Sequence, residues 1–247
     1  MKITMLGHSC LLIEIDGKRI LTDPWLTNGA YFNLLRHKGA FPENYEVLPL
    51  DLILVSHGHD DHFDPLTLKN LPKTIPVIIY SGYEKKALRA GFQKVIPVNN
   101  GVLTKISGIE ILAMPGKHFG GLVTFMITGK QRKIFFGGDS VYFPELEFAL
   151  KDTSPDVVLM PVSGGKIGFF KFHMNADEAA KLAIASKAKH AIPIHYHFET
   201  GSELINNLLM KENCVLDFQN YISKNSNETV VKILDYGQTY DLEEIQI

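Results

Sequence analysis

Histidine and aspartate side chains are concentrated in one six-residue run, His57-Gly58-His59-Asp60-Asp61-His62. In an extended stretch, residues two positions apart point to the same side of the chain, so His57 and His59 can approach one metal ion together. The chain then turns, which aims Asp61 and His62 at a second position nearby. Imidazole nitrogens and carboxylate oxygens suit zinc, manganese or iron. The run therefore predicts a metal site.

The flanking sequence indicates how the chain positions this run. Leu52–Ser56 is a continuous apolar stretch that ends at the first histidine, as a strand covered on both faces would. Asp64-Pro65 is typical of a helix N-cap followed by proline at the first helical position, and Leu66–Leu71 would be a short helix. We therefore expect the histidines at the carboxyl end of a buried strand, in the turn that leads into a helix.

Short apolar strands recur along the rest of the chain, and helices interrupt them in both halves. Asp16-Gly17 predicts a hairpin turn, and Asn175, with Glu178 three residues later, predicts a capping box at the start of a helix over Asn175–Ala188. The other strands are predicted at Lys2–Leu6, Ser9–Ile15, Arg19–Thr22, Val77–Tyr80, Val95–Val98, Leu103–Ile106, Ile109–Met114, Val123–Thr128, Lys133–Phe136, Val157–Pro161, Ala191–Ile194 and Val230–Leu234, and the other helices at Gly82–Ala90 and Glu203–Lys211. The long segment from Pro24 to Pro49 is predicted to be a loop.

Length and composition narrow the classes of protein. A chain of 247 residues, 45% of them hydrophobic, can bury a sizeable core, and we expect one domain over residues 1–247. A formal net charge of −2 gives no support for nucleic-acid binding through phosphates. Two distant cysteines predict reduced core thiols. Residues 1–16 are typical of a strand and not of a signal peptide, so we expect none, and no apolar run reaches the roughly 20 residues that span a bilayer. We expect a cytoplasmic protein with a small-molecule substrate, of undetermined oligomeric state.

The six-residue run resembles the H-x-H-x-D-H signature of the metallo-β-lactamase superfamily. Four further residues match that family in order: Asp23 after a predicted strand, His118 after Ala113-Met114-Pro115-Gly116, Asp139 after Gly137-Gly138, and His195 after another strand. The resemblance extends over nearly the whole chain. It implies an α/β (α+β) fold, a four-layer αββα sandwich with the metals at one edge between the two sheets.

The same resemblance implies a role for each matching residue. One metal ion would be held by His57, His59 and His118, and the other by Asp61, His62 and His195. Asp139 would bridge both ions, and Asp23 would hydrogen-bond and orient a ligand histidine. The cofactors would be two divalent metal ions, zinc in the first instance, with manganese or iron as alternatives.

Such a centre has a definite chemistry. Two metal ions about 3.5–4 Å apart lower the pKa of a shared water toward neutrality and stabilise the oxyanion that its attack creates. No side-chain nucleophile is then needed, and the sequence has no G-x-S-x-G elbow that would supply one. We therefore expect a metal-dependent hydrolase that cleaves an ester, lactone or phosphodiester of a small molecule.

Shorter motifs resemble one branch of the superfamily, which includes L-ascorbate 6-phosphate lactonases and N-acylphosphatidylethanolamine phospholipase D. They are Leu6-Gly7-His8-Ser9, Thr22-Asp23-Pro24-Trp25 and His173-Met174-Asn175. In that branch the histidine at position 173 lies near the metals, where it could bind a phosphate or donate a proton to a leaving group. The alternative is a polar residue beside a helix N-cap. His8 either reaches the site from its strand end or is an ordinary buried histidine.

Other interpretations of the motif remain open. A nuclease or RNA-processing enzyme of the same fold is one, although such proteins usually carry extra domains or a basic surface. A di-iron redox protein is another, but those typically have glutamate where this chain has His59. His197 is an alternative to His195 as a ligand, because it lies two residues further along. His37, in the long loop, could contact substrate, but it is expected to be exposed to solvent.

Overall fold

A computed structural model describes residues 1–42 and 46–242. These residues form two compact units. Of the described residues, the first contains those of Met1–Asn99, His197–Glu199 and 234–242, and the second contains Asn100–Tyr196 and Thr200–Ile233. The single domain over residues 1–247 stays a prediction. No helix of the described residues is long and apolar enough to cross a membrane.

The first unit is built on a seven-stranded sheet. Its strands are β1 (Lys2–Gly7), β2 (Cys10–Ile15), β3 (Lys18–Thr22), β6 (Leu52–Val55), β7 (Val77–Tyr80), β8 (Val95–Val98) and β19 (Thr239–Asp241). They lie in the order β19-β1-β2-β3-β6-β7-β8, antiparallel up to β3 and parallel from β3 onward. The predicted turn between β2 and β3 is confirmed, since Asp16 and Gly17 have φ angles of 51° and 72°, as a type I′ turn requires.

Two short helices cover one face of this sheet. They are α1 (Pro65–Asn70) and α2 (Glu84–Arg89). The side chains of Leu68 and Ala87 pack from these helices into the same buried apolar cluster as Val55 of β6. The predicted cap of α1 is confirmed: Asp64 accepts hydrogen bonds from the backbone nitrogens of Leu66 and Thr67. This cap fixes where the chain leaves β6 and therefore where the histidine run lies.

Part of the predicted long loop has regular structure. A three-stranded sheet contains β4 (Gly29–Ala30), β5 (Leu35–His37) and β17 (Phe198–Thr200), in the order β17-β5-β4. The first two of these strands form a hairpin inside the segment from Pro24 to Pro49. The described part of this segment therefore contains a β-hairpin and is not a loop throughout.

The second unit is built on another seven-stranded sheet. Its strands are β9 (Leu103–Ile106), β10 (Ile109–Pro115), β11 (Val123–Thr128), β12 (Lys133–Phe136), β13 (Val157–Pro161), β16 (His190–Ile194) and β18 (Val230–Val231). They lie in the order β18-β16-β13-β12-β11-β10-β9, antiparallel from β9 to β12 and parallel from β12 to β18. A small hairpin, β14 (Lys166–Ile167) and β15 (Phe170–Lys171), follows β13.

Helices cover one face of this second sheet as well. They are α3 (Pro144–Thr153), α4 (Ala176–Ala185) and α6 (Cys214–Asn225), whereas α5 (Glu203–Leu209) has no buried residue. Buried side chains of α3, α4 and α6, including Leu146, Leu182 and Phe218, share one apolar cluster with the sheet. The capping box predicted for α4 is confirmed, because Asn175 accepts from the Glu178 nitrogen and the Glu178 side chain accepts from the Asn175 nitrogen.

The differences from the predicted elements have local causes. Helices α3 and α6 were not predicted, although Pro144 at the first position of α3 and Asn213 at the N-cap of α6 are residue types common there; neither helix has a side-chain hydrogen bond at its N-cap. The last predicted strand, Val230–Leu234, is wrong in length because only its first two residues pair with β16. Both cysteines are buried and form no disulfide among the described residues, as expected, and burial raises the pKa of the Cys10 thiol above its ordinary value.

Candidate metal centre

The first unit holds the histidine run at the end of β6, supported by a buried aspartate. Asp23 Oδ1 accepts a hydrogen bond from the Ser56 nitrogen at 2.7 Å, and Asp23 Oδ2 accepts one from the Ser56 hydroxyl at 2.6 Å. The same Oδ2 lies 2.7 Å from Nδ1 of His62. Since Ser56 Oγ donates to Asp23, it can accept from Nδ1 of His57, 2.9 Å away. One carboxylate thus orients two imidazole rings of the run.

Two imidazoles of the run meet directly. Nε2 of His57 lies 3.0 Å from Nδ1 of His59, and the His57 side chain is fully buried. Gly58 between them is required by packing, since a Cβ there would lie 2.0 Å from the ring of Tyr83. The two nitrogens are therefore held side by side by the fold of the loop.

Asp60 has a separate role in this loop. Nζ of Lys86 donates to Asp60 Oδ1 at 2.7 Å and to the Gly58 carbonyl at 2.9 Å. The carboxylate of Asp60 therefore ties the loop to helix α2. Among the described residues, Asp60 belongs to none of the groups of side chains whose ligand atoms converge.

The second half of the run gathers further side chains of the first unit. Asp61 Oδ2 lies 3.7 Å from Nε2 of His62 and 3.5 Å from Nε2 of His8. Asp61 Oδ1 accepts a hydrogen bond from the Tyr31 hydroxyl at 2.8 Å. His8, which the sequence left between two roles, is fully buried and lies beside the run.

The second unit contains its own group of imidazoles around an aspartate. Nε2 of His195 lies 3.0 Å from Asp139 Oδ2, and Nε2 of His173 lies 3.9 Å from the same oxygen. The hydroxyl of Ser163 lies 2.9 Å from Nδ1 of each of these two rings. His173, Asp139 and His195 are all buried. The structure thus places His173 against the predicted bridging aspartate as well as near a helix N-cap.

His118 of the second unit is oriented by backbone. Its Nδ1 lies 2.8 Å from the carbonyl oxygen of Phe172, to which a ring N–H donates. Phe172 is tied back in turn, because its nitrogen donates to the Gly165 carbonyl at 2.8 Å. The chain around the β14–β15 hairpin therefore fixes the direction of the His118 ring.

Several of these residues have unusual backbone conformations. His8, Asp23, Tyr31 and His195 have φ angles of 48°, 34°, 50° and 61°. Non-glycine residues rarely adopt this left-handed region, and such strain persists where the surrounding structure enforces it, commonly at functional sites. These four residues lie at the converging side chains, whereas other left-handed residues, such as Asp16 and Ser154, lie in an ordinary turn and a helix cap.

The donor chemistry fits divalent metal ions. In His57, His62, His118, His173 and His195, a protein group contacts Nδ1. Such a partner fixes the ring and turns Nε2 toward the other converging side chains, which is the usual arrangement around metal-bound histidines. His59 differs, because its Nδ1 is the nitrogen that faces its neighbour. Imidazole nitrogens and carboxylate oxygens together are a suitable set for zinc, manganese or iron.

Burial shifts the pKa values of several groups in the first unit. The pKa of Asp23 is raised by burial, against which its hydrogen bonds from His62 and Ser56 act. Burial lowers the pKa of His37 to about 3 and that of His197 to about 4. The prediction that His37 is exposed is wrong, since it is 2% exposed with its ring stacked between Trp25 and Phe41. The three rings are apart in sequence and stack only once the chain has folded.

Sequence reasoning missed the side chains that orient the histidines. Ser56 and Ser163 each hold a ring nitrogen, and Tyr31 holds Asp61. Ser56 directly precedes the motif at the end of an apolar strand, which is a usable signal. Neither Ser163 nor Tyr31 has such a signal in the sequence around it, because hydroxyl side chains are common in loops. His197 is half-buried, with its ring 4.6 Å from that of Tyr236, and is not in a converging group of the described residues.

Comparison with known proteins bears on both fold and family. The family described as "Beta-lactamase superfamily domain" matches residues 2–195. A protein of Hyperthermus butylicus named UPF0173 metal-dependent hydrolase is 30% identical over 204 residues, which cover 79% of this chain and 83% of that protein.

Solved structures agree on the fold. A possible metal-dependent hydrolase from Veillonella parvula has a TM-score of 0.80 at 18% identity, covering 98% of this chain and 99% of the other. A metallo-β-lactamase fold protein from Bacillus subtilis has a TM-score of 0.71 at 17% identity, covering 97% and 99%. The predicted mixed α/β class and metallo-β-lactamase fold are confirmed.

Proposed function

Because this chain belongs to the β-lactamase superfamily and to its UPF0173 metal-dependent hydrolases, we propose that it uses two metal ions to cleave an ester, lactone or phosphodiester of a small molecule with water. The observation that carries the proposal is the set of oriented imidazoles: each unit has buried histidines whose Nδ1 is contacted by a protein group and whose Nε2 lies near a carboxylate. Histidines that only fill a protein core would not be expected to share this arrangement.

We assign the metal ligands as the family resemblance implies. His57, His59 and His118 would hold one ion, Asp61, His62 and His195 the other, and Asp139 both. Bound divalent cations, zinc or else manganese or iron, would lower the pKa of a water molecule and stabilise negative charge that develops on the substrate. Asp23 would keep His62 and His57 in the required orientation through the hydrogen bonds described above.

His173 is the residue that we place on the substrate. Its Nδ1 is held by Ser163, and its Nε2 lies 3.9 Å from Asp139 Oδ2, so the ring directs this nitrogen toward the assigned bridging aspartate, where a substrate would lie. In the proposed reaction the oxygen of water forms a bond to the carbonyl carbon or phosphorus, and the bond to the leaving oxygen breaks. A proton at Nε2 of His173 would pass to that oxygen, and the proton lost by water would restore it.

His8 has a related assignment in the first unit. Its Nε2 lies 3.5 Å from Asp61 Oδ2, so an N–H there would favour the charged carboxylate. We therefore place His8 at the reaction centre as a group that contacts a ligand carboxylate. Cytoplasmic location and the two branch resemblances stay predictions.

An activity screen tests this function. The purified chain, loaded separately with zinc, manganese and iron, would be offered generic phosphodiesters, lactones and aryl esters, with a structured RNA for the nuclease alternative. We expect turnover of at least one small-molecule class that a chelator abolishes and added metal restores. His173→Ala should keep its metal content and lose rate about 10²–10⁴-fold, the usual contribution of a general acid. Chelator-resistant turnover, or cleavage of the RNA alone, would contradict the proposal.

A further inference from the structure

The chain between β4 and β5 adopts a costly conformation for its sequence. Tyr31, Phe32 and Asn33 have φ angles of 50°, 58° and 66° in succession. Hairpin turns that need left-handed residues normally use glycine or asparagine, because Cβ of other residues clashes with the backbone in this region. Asn33 suits the conformation, but a tyrosine and a phenylalanine do not.

Burial of the Phe32 ring does not compensate for this strain. The Phe32 side chain is 102% exposed, so its ring gains nothing from apolar packing. The neighbouring Tyr31 is half-buried and donates its hydroxyl to Asp61 Oδ1 at 2.8 Å. Asp61 itself is 8% exposed. Of the two aromatic side chains on the turn, Tyr31 is the one that makes a contact within residues 1–42 and 46–242 that explains the conformation.

The two carboxylate oxygens of Asp61 lie near different groups. Oδ1 faces the Tyr31 hydroxyl, whereas Oδ2 lies 3.5 Å from Nε2 of His8 and 3.7 Å from Nε2 of His62. A carboxylate held at one oxygen presents the other in a fixed direction. Without the hydroxyl, the side chain of Asp61 could rotate about its last torsion, which is soft.

We propose that Tyr31 is a positioning residue for metal binding: its hydroxyl holds Asp61 so that Oδ2 is the oxygen presented to the ion, and the left-handed turn serves to place that hydroxyl. This inference rests on the proposed function. Groups that hydrogen-bond a metal ligand typically contribute 10–100-fold to metal affinity. Tyr31 therefore differs from His173, which is assigned to the substrate.

The test is zinc binding to Tyr31→Phe, which removes one oxygen and keeps the ring. Isothermal titration of the metal-free full chain with zinc is expected to show two sites in the wild type. In the variant, one dissociation constant should rise about 10-fold, and the other should stay unchanged. The absorption spectrum of the cobalt(II)-loaded variant should change at one of the two sites.

Tyr142→Phe is the matched control. The Tyr142 hydroxyl donates to Glu147 at 2.5 Å, so this substitution also removes a tyrosine–carboxylate hydrogen bond, but outside the assigned ligands. Its zinc affinities should equal those of the wild type. If Tyr31→Phe binds both zinc ions as tightly as Tyr142→Phe, the role of Tyr31 is disproved while the proposed function stands. If the wild type binds no metal, both fail.

A second variant tests the origin of the strain. Phe32→Gly places glycine at a φ of 58° and removes an exposed ring. We expect the melting temperature of the metal-free protein to rise by about 3 °C, with zinc affinity unchanged. A fall in melting temperature would show that the turn is not strained and would overturn that part of the inference.

Discussion

The two units orient their histidines by different means. In the first unit a fully buried carboxylate, Asp23, contacts His62 directly and His57 through Ser56. In the second unit the corresponding partners are neutral: the hydroxyl of Ser163 for two rings and the Phe172 carbonyl for His118. A charged hydrogen-bond partner is roughly twice as strong as a neutral one, and a buried one is costly to remove. The first unit should therefore be more sensitive to loss of its support.

The largest effect is expected for Asp23→Asn. The amide keeps the shape of the side chain but replaces one acceptor oxygen with a donor, which leaves partners among the Ser56 and His62 groups without an acceptor. We expect the free energy of unfolding to fall by about 3 kcal/mol, and metal affinity to fall about 10–100-fold. Urea denaturation of the metal-free protein and zinc titration measure the two quantities.

Asp60→Asn is the control for that change. Asp60 makes a part-exposed ion pair with Lys86, for which a loss of about 1 kcal/mol or less is typical. Equal losses of stability and zinc affinity in the two variants would show that burial of Asp23 gives it no special role.

A smaller effect is expected for Ser163→Ala. Two rings lose a neutral partner at Nδ1, so the free energy of unfolding should fall by about 1–2 kcal/mol and metal affinity by about 10-fold. Ser186→Ala removes another buried hydroxyl of the second unit, one that donates to the Ala183 carbonyl, and should leave zinc affinity unchanged. A loss of affinity larger than that of Asp23→Asn would reverse the comparison.

The last effect appears only as the solution becomes acidic and concerns a histidine outside the assigned ligands. Burial lowers the pKa of His37 to about 3 from an ordinary 6.5, so the folded state holds this ring neutral. Between these values the unfolded chain binds the proton more readily. Stability from this group is therefore complete above about pH 6.5 and declines as pH falls, by up to about 1.4 kcal/mol per pH unit.

His37→Phe keeps an aromatic ring in the stack with Trp25 and Phe41 and removes the titration. The free energy of unfolding, measured in urea from pH 7 to pH 5, should therefore depend less steeply on pH in this variant. Identical slopes for wild type and variant would mean that the ring is not held neutral.

The sequence predicts those parts of the site that follow a pattern along the chain. His57, Asp139 and His195 come after apolar strands, and polar residues at such ends are readily recognised. Asp64 and Asn175 were predicted as caps because their partners lie within three residues.

Interactions between distant parts of the chain were not predictable in this way. Ser163 is 32 residues from His195, and Tyr31 is 30 residues from Asp61. These hydroxyl groups reach their partners only when the chain has folded, so the sequence alone does not show the contacts. His37 was predicted wrongly for the same reason, since the ring of Trp25 that covers it comes from twelve positions earlier in the chain.

The central claim is that the oriented imidazoles and carboxylates hold two metal ions. Elemental analysis of the purified chain, after loading with zinc or manganese and removal of excess metal, tests it directly, with Asp139→Ala measured beside it. The account predicts about two metal ions per wild-type chain, as for a two-metal site, and a clear loss in the variant. No bound metal in the wild type after loading, or an unchanged content in Asp139→Ala, would contradict it.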